Sequence, residues 1–277
     1  MTEPEWRQAN QANWDERVPI HLAASDMYDL ETLRAGNKRL GPITMAALGP
    51  VAGQRILHLQ CHFGMDTLVL AQQGAEAIGV DFSPPAIEAA TALATELGLS
   101  GRARFLVSDV YETASVLPEP ASFDRVFVSW GALCWLPDMI GWARVVAHFL
   151  KPGGWLALAE AHPAAYVFDD RAATPDGMPG WFMPYLGRAP MIEDREEDYS
   201  DPTARLKNTS THEWLHPLSD IVMGLIDAGL RLDFLQEHDT VAWKMFASLV
   251  PAEAGGYRWP DQPWLPLSYS LRASKPA

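Results

Sequence analysis

Residues 55–81 read RILHLQCHFGMDTLVLAQQGAEAIGVD, and this pattern decides the fold class. Ile56-Leu57-His58-Leu59 is a short apolar run of the kind a buried parallel strand produces, so Arg55 to Leu59 reads as a first strand. Gln60 to Gly64 is the turn that leaves it. Met65 to Gln73 carries Leu68, Val69, Leu70 and Ala71 at helical spacing, Gly74 stops that helix, and Ala77 to Asp81 forms a second strand ending on a carboxylate. The result is a βαβ unit. In such units a ligand sits beyond the carboxyl ends of the strands, and an acid ending the second strand can accept from both hydroxyls of a ribose. Asp81 has that place. The dinucleotide fingerprint G-x-G-x-x-G is broken, however, because Gln60 and His62 stand where glycines belong and only Gly64 remains.

Outward from this unit the alternation continues. Ser83-Pro84-Pro85 caps a helix from Ala86 to about Leu97, which Gly98 ends. Arg104 to Asp109 reads as a third strand, again closing on an acid, and Phe123 to Trp130 as a fourth. Met139 to Leu150 is an amphipathic helix, Lys151 to Gly154 a tight turn, and Trp155 to Glu160 a fifth strand. Alternating strands and helices of this kind imply a mostly parallel, doubly wound sheet. Before it, Trp6 to about Ala47 is helical in flavour, interrupted at Gly41-Pro42. After it, Ala161 to about Trp214 loses the alternation and reads as an insertion rich in Pro, Gly and aromatics. Its acidic run, Glu193, Asp194, Glu196, Glu197, Asp198 and Asp201, reads as a solvated loop face rather than a metal site. Leu218 to Ala228 is helical, Gly229 stops it, Leu230 to Gln236 is a strand, and Leu267 to Ala273 fits an edge strand paired with it.

The chain has 277 residues, 48% of them hydrophobic, enough for one large α/β domain with embellishments. No apolar run reaches the roughly 18 residues that span a bilayer. Thirty-five acidic against 21 basic residues give a net charge of −14, which disfavours nucleic acid and anionic membrane surfaces as partners. Met1 to Trp6 has no basic or apolar leader pattern, so the cytoplasm is the expected location. Cys61 and Cys134, the two cysteines, lie in apolar segments without a C-x-x-C pattern, and read as reduced thiols with neither metal nor catalytic duty.

The succession of a strand, two acid-ended strands, a Phe-Asp strand and Leu150-Lys151-Pro152-Gly153-Gly154 before a fifth strand resembles the class I S-adenosylmethionine-dependent methyltransferases. The likeness covers Gly53 to Glu160 strongly and extends over the tail from Ser219 to Lys275. It implies a Rossmann-like, seven-stranded, mostly parallel sheet finished by a C-terminal antiparallel hairpin. Residues 1–50 would form a helical arm or lid, 51–160 the cofactor-binding core, 161–214 an insertion over the substrate site, and 215–277 the last part of the sheet. The activity implied is methyl transfer from S-adenosylmethionine to a small molecule, leaving S-adenosylhomocysteine. On the matching positions, His58, Gln60, His62 and Gly64 would wrap the methionine part. Asp81 would hold the ribose diol with Phe82 on the adenine, Asp109 would accept from the adenine amino group beside Val110, and Ser129 and Trp130 would face the sulfonium and the acceptor. The chain departs from the family at His58, where an acid is usual, and at Gln60 and His62, where glycines are. A nicotinamide-type dehydrogenase is the nearest competing reading, since Asp81 follows Gly64 at close to the spacing of its ribose acid. A non-catalytic cofactor-binding relative is the other.

Methyl transfer from a sulfonium needs alignment and desolvation more than a fixed catalytic residue. Where the acceptor must lose a proton a base helps, and the candidates are His162 first, then Glu160 and His62. Trp6, Trp14, Trp130, Trp135 and Trp181 lie in segments able to close over the strand ends, which favours a dry pocket and an aromatic or apolar acceptor. A homodimer is left open. Deleting the residues before about Leu40 should weaken S-adenosylmethionine binding, and calorimetry showing unchanged affinity in the truncated protein would refute the lid role.

Overall fold

A computed structural model describes residues 4–277, so the first three residues of the expected arm lie outside it. The arm forms four helices: α1 (Glu5–Ala23), α2 (Ser25–Tyr28), α3 (Leu30–Arg34) and α4 (Pro42–Leu48). Pro42 sits at the first position of α4, where its missing N–H costs nothing.

The core follows as β1 (Arg55–Leu59), α5 (Met65–Gln72), β2 (Glu76–Asp81), α6 (Pro84–Glu96), β3 (Ala103–Val107), α7 (Thr113–Val116), β4 (Phe123–Ser129), α8 (Met139–Phe149) and β5 (Leu150–Ala161). The Ser83 hydroxyl accepts from the Ala86 N–H to cap α6, and the Asp138 carboxylate accepts from Gly141 to cap α8. The insertion holds two small antiparallel pairs, β6 (Phe168–Asp169) with β7 (Gly180–Trp181) and β8 (Met191–Asp194) with β9 (Ser210–Glu213). The chain then returns through α9 (Leu218–Asp227) and β10 (Arg231–His238). A second excursion builds a small sheet from β11 (Thr240–Val241), β12 (Val250–Pro251) and β13 (Tyr257–Arg258) before β14 (Ser268–Ser274).

The main sheet has seven strands in the order β10-β14-β5-β4-β1-β2-β3, with β1 to β5 parallel and β14 antiparallel to both of its neighbours. Two local expectations are corrected. The run Leu267 to Ala273 is not the edge: β14 lies between β5 and β10 and is buried along nearly its whole length, whereas β10 alternates and faces solvent at the true edge. Burial on both faces, of Ser268 and Ser270 as well as of Tyr269 and Leu271, is the mark of an interior strand. The turn expected at Lys151 to Gly154 is absorbed into β5, which starts at Leu150 directly after α8. Gly153, at φ 77°, lies where the pairing with β4 shifts register between Phe123 and Arg125.

Helices cover both faces. Leu57, Leu59, Ile78, Val80, Leu156, Leu158 and Tyr269 pack with Trp142 and Phe149 of α8 and Ile221 and Leu225 of α9. Opposite, Ile56, Phe127 and Ala157 pack under α4, while Phe63, Leu68, Ile87 and Phe105 join Leu33 of α3. The order reverses between β1 and β4, which opens the crevice at their carboxyl ends. Close packing beneath that crevice makes a test available: a Cβ added at Gly79 would stand 2.7 Å from both Cys61 Sγ and the Phe105 ring. Gly79→Ala should destabilise the fold by about 1–3 kcal/mol, read from the urea midpoint; an unmoved midpoint would show that the strand yields.

Candidate functional site

The turn after β1 carries Gln60 at φ 57°, His62 at φ 50° and Gly64 at φ 74°, a left-handed coil that glycine usually fills. Glycine is obligatory at 64, because a Cβ there would collide with the Phe105 ring. Gln60 and His62 each hold strain of about 1–2 kcal/mol. Hydrogen bonds offset it: Gln60 Nε2 donates to the Ala132 carbonyl at 2.7 Å, and the His62 N–H donates to Asp81 Oδ2 at 2.8 Å. Gln60 Oε1 is buried with no partner, an acceptor unmet by the protein. His58 is buried further back; its Nδ1 lies 2.8 Å from Thr67 Oγ1, and burial pushes its pKa down to about 3, so the ring is neutral.

Asp81 ends β2, accepts a second bond from the Ser83 N–H at 3.0 Å, and is pushed up to about pH 6 by burial. Asp109 lies two residues past β3 and accepts from the Tyr111 N–H at 2.8 Å, while Arg7 of α1 stands 3.4 Å from its other oxygen. Gln11 donates to the Phe82 carbonyl at 2.9 Å, and the Ser83 hydroxyl donates to Asp15. Helix α1 thus lies across the ends of β2 and β3. Val110 is buried in the core beside Asp109. Ser129 closes β4 with its hydroxyl 3.4 Å from Asp66 Oδ2, a carboxyl pushed up by burial. Trp130 turns away through φ 40°, donates its indole N–H to Thr44 Oγ1 at 3.1 Å and meets Trp243 edge-on at 6.0 Å.

Glu160 is buried, and its carboxylate accepts from the N–H groups of Gly131, Ala132, Leu133 and Ala161. Those bonds clamp the loop after β4. His162 Nδ1 accepts from the Ala164 N–H at 3.1 Å, and Nε2 stands 2.9 Å from Glu237 without hydrogen-bond alignment, so both nitrogens face protein.

The third base candidate, His62, has company that sequence reading missed. Its Nε2 lies 2.8 Å from His21 Nδ1, and His21 Nε2 lies 3.0 Å from Asp198 Oδ2. Arg17 donates to the same oxygen at 2.7 Å, and Ser200 donates through N–H and hydroxyl to the other. Asp198 is 2% exposed. The acidic run is therefore not a uniform solvated face; Asp194, Glu196 and Glu197 are exposed, and Asp198 turns inward. Its carboxyl is held well below the usual range by the His21 and Ser200 hydrogen bonds against the cost of burial. One signal was present in the sequence: Asn10, Asn13, Arg17 and His21 follow helical spacing and form the buried face of α1. Asn10 exchanges bonds with the backbone of His212 at 2.9 and 2.7 Å, and Asn13 donates to Asn208, strapping α1 to β9. Trp14 meets Trp135 and His62 edge-on, each at 5.2 Å. Glu213, at the end of β9, is pushed up to about pH 7 by burial and by Glu193.

One surface cavity lies beside Arg188 and Asp220, lined by Asp138 and Trp214, and another lies around Trp259 and Trp264. Among the described residues no group of three or more His, Cys, Asp or Glu is placed to hold a metal ion, and no helix is long and apolar enough to cross a membrane. Both cysteines are free, and burial pushes their thiols up.

A family model described as a methyltransferase domain matches residues 56–154. The aklanonic acid methyltransferase DauC of Streptomyces sp. (strain C5) is 31% identical over 65% of this chain and 76% of its own length. A ubiquinone biosynthesis O-methyltransferase of Paracidovorax citrulli (strain AAC00-1) is 27% identical over 51% of this chain. The match spans 59% of that relative's length. Among solved structures, an S-adenosylmethionine dependent methyltransferase from Mesorhizobium loti is similar at a TM-score of 0.57 and 22% identity, over 84% of this chain and 96% of that one.

Two carboxyls, the buried Asp198 and the half-buried Glu213, make opposite pH predictions. Asp198 has a depressed pKa, so its contribution is present above its unfolded value near 3.8 and is lost as pH falls through the folded value. Asp198→Asn should cost about 3–5 kcal/mol at pH 7, because Arg17 is left uncompensated, and less below pH ~4; equal losses in urea unfolding at both pH values would contradict this. Glu213 has a raised pKa, so its burial is tolerated below about pH 4.5 and becomes destabilising as pH rises toward 7. Glu213→Gln should raise the thermal midpoint at pH 8 and leave it unchanged at pH 4.

Proposed function

The chain belongs to the class I S-adenosylmethionine-dependent methyltransferases, and from that premise we propose that it methylates a hydroxyl group of a small aromatic or apolar molecule. The observation that carries the cofactor side is Gln60 Oε1, a buried acceptor without a partner at the end of β1. An acceptor left unmet costs about 1–3 kcal/mol, and the ammonium of the methionine moiety supplies the missing donor. Asp66, beside Ser129 and pushed up by burial, stands ready to share that cation. Asp81 ends β2 and Asp109 lies two residues past β3, where ribose hydroxyls and the adenine amino group are the matching donors. The residues present fit the cofactor.

His58 takes a supporting part in this reading, since a neutral ring bonded to Thr67 braces the start of α5 rather than meeting a ligand. Glu160 and His162 likewise act as positioning groups, the first by clamping residues 131–133, the second by packing between β5 and Glu237. When bound, S-adenosylmethionine supplies a methyl group already activated by its positive sulfur. The protein aligns the acceptor and excludes water. The roof for both tasks comes from α1, α2 and the insertion, whose Trp14, Tyr28 and Tyr199 close with Trp135 over the first turn. Aromatic faces there suit a flat acceptor and attract a cation. Oxygen as the acceptor atom follows the O-methyltransferase relative, and supports the choice of a hydroxyl.

Calorimetry with S-adenosylmethionine, S-adenosylhomocysteine and NAD, followed by methyl transfer to catechol, aniline and thiophenol as probe acceptors, tests the reading. Binding of both sulfur compounds and transfer to catechol are expected; tight NAD binding without them would sink it. Gln60→Gly makes the test specific. Glycine relieves the left-handed strain and restores the family's usual residue, yet it should lower S-adenosylmethionine affinity about tenfold by removing the acceptor. Methylthioadenosine, which lacks the ammonium, should bind both forms equally.

A further inference from the structure

We propose that Asp198, His21 and His62 form a proton relay that presents Nδ1 of His62 as the base for the acceptor hydroxyl, an inference that rests on the methyl-transfer reading above. The three residues come from three segments: the insertion, helix α1 and the turn after β1. Nothing in apolar packing asks two imidazoles and a buried carboxylate to line up.

The hydrogen bonds determine which nitrogen carries which proton. Asp198 is an ionised carboxylate held by Arg17 and Ser200, and a carboxylate only accepts. His21 Nε2, 3.0 Å away, must therefore carry hydrogen. His21 is fully buried and its pKa is lowered, chiefly by that burial, so the ring is neutral and its Nδ1 bears a lone pair. Two donors converge on that lone pair: the Tyr28 hydroxyl at 3.1 Å, itself fixed by Tyr199 at 2.7 Å, and His62 Nε2 at 2.8 Å. His62 Nε2 thus carries hydrogen as well. Burial and the neighbouring His21 push the pKa of His62 well down, so the ring is neutral, and its bare lone pair on Nδ1 takes no hydrogen bond from any described residue. One buried charge sets two tautomers in series.

The groups facing His62 support this state. Arg17 sits behind Asp198, Trp14 and Phe63 meet the ring edge-on, Tyr28 tilts against it, and Asp81 holds its backbone N–H. A hydroxyl that gains a methyl group must give up its proton. That proton passes to the Nδ1 lone pair, His62 becomes imidazolium, and the carboxylate of Asp198 answers the new positive charge through His21. Water in the opened site then takes the proton away. The relay is complete only with α1 and the insertion seated together, so the base is armed by closure of the roof. The acceptor class follows: a group with a proton to lose, not one that already carries a free lone pair of full nucleophilicity.

Nitrogen-15 NMR of histidine-labelled, ligand-free protein at pH 7 reads the tautomers directly. His21 and His62 should both show the Nε2–H form, and Asp198→Asn should blur that assignment at His62. A proton on Nδ1 of His62, or a charged His62, would overturn the relay. His62→Asn keeps a residue that tolerates the left-handed backbone. It should lower catechol methylation about 100-fold in turnover measured at saturating S-adenosylmethionine, a readout that a change in cofactor affinity alone does not move. Undiminished turnover in this variant would overturn the assignment of the base, and absence of catechol turnover in the wild type would overturn the hydroxyl acceptor. A wild-type protein that fails to bind S-adenosylhomocysteine would instead remove the methyl-transfer reading, with the tautomers unaffected.

Discussion

A buried carboxylate has to be answered, and everything above the strand ends depends on how Asp198 is answered. Arg17 and His21 occupy positions four apart on α1, so they project from one face and reach the same oxygen. Isolated burial of a charge is prohibitive; burial with two donors on one oxygen and two on the other is not. Because Asp198 belongs to the insertion and its partners to the arm, satisfying this one charge brings together two segments that are remote in sequence. The same bond then sets His21, and His21 reaches the turn after β1.

The arm is held by a polar seam. Asn10, Asn13, Arg17 and His21 bury their side chains against backbone groups of residues 208–212 and against Asp198, while few large apolar side chains of α1 are buried. Each such bond contributes only about 0.5–1.5 kcal/mol net, because the partners return to water when the seam opens. An apolar seam would resist opening more strongly, since exposed hydrocarbon has no such compensation. The seam that holds α1 is therefore one whose bonds can be exchanged for bonds to water. The sheet beneath has the opposite character: Ile56, Leu57, Leu59, Val126, Phe127 and Leu158 are essentially inaccessible and fix the strand ends by close packing.

The first turn shows how a family's glycine pattern can be replaced. Glycines at positions 60 and 62 would adopt the left-handed backbone without strain, but they offer no side chain. Gln60 and His62 accept the strain, and in exchange one ties the turn to Ala132 and the other joins the relay. Gly64 has no such freedom, since Phe105 fills the space a side chain would need.

The sequence by itself determined the alternating core. Apolar runs of strand length, the Ser-Pro-Pro cap and glycine stops are local signals, so β1 to β5 and the helices α5, α6 and α8 were readable, as were the acids Asp81 and Asp109 at and just past the strand ends. Only the tertiary structure decided the rest. That β14 lies inside the sheet and β10 at its edge depends on pairing between segments remote in the chain, and a run of apolar letters does not say which neighbour it has. Likewise Asp198 reads in sequence as one acid among six, His21 as one polar residue on a helix, and Glu160 and His162 as acid and base just past a strand. Their roles come from what folding sets opposite them, donors on both oxygens for the first, the carboxylate of Asp198 and the ring of His62 for the second, and backbone amides for Glu160. Charge and hydrogen bonding are pairwise, and a chain read one residue at a time carries only one member of each pair.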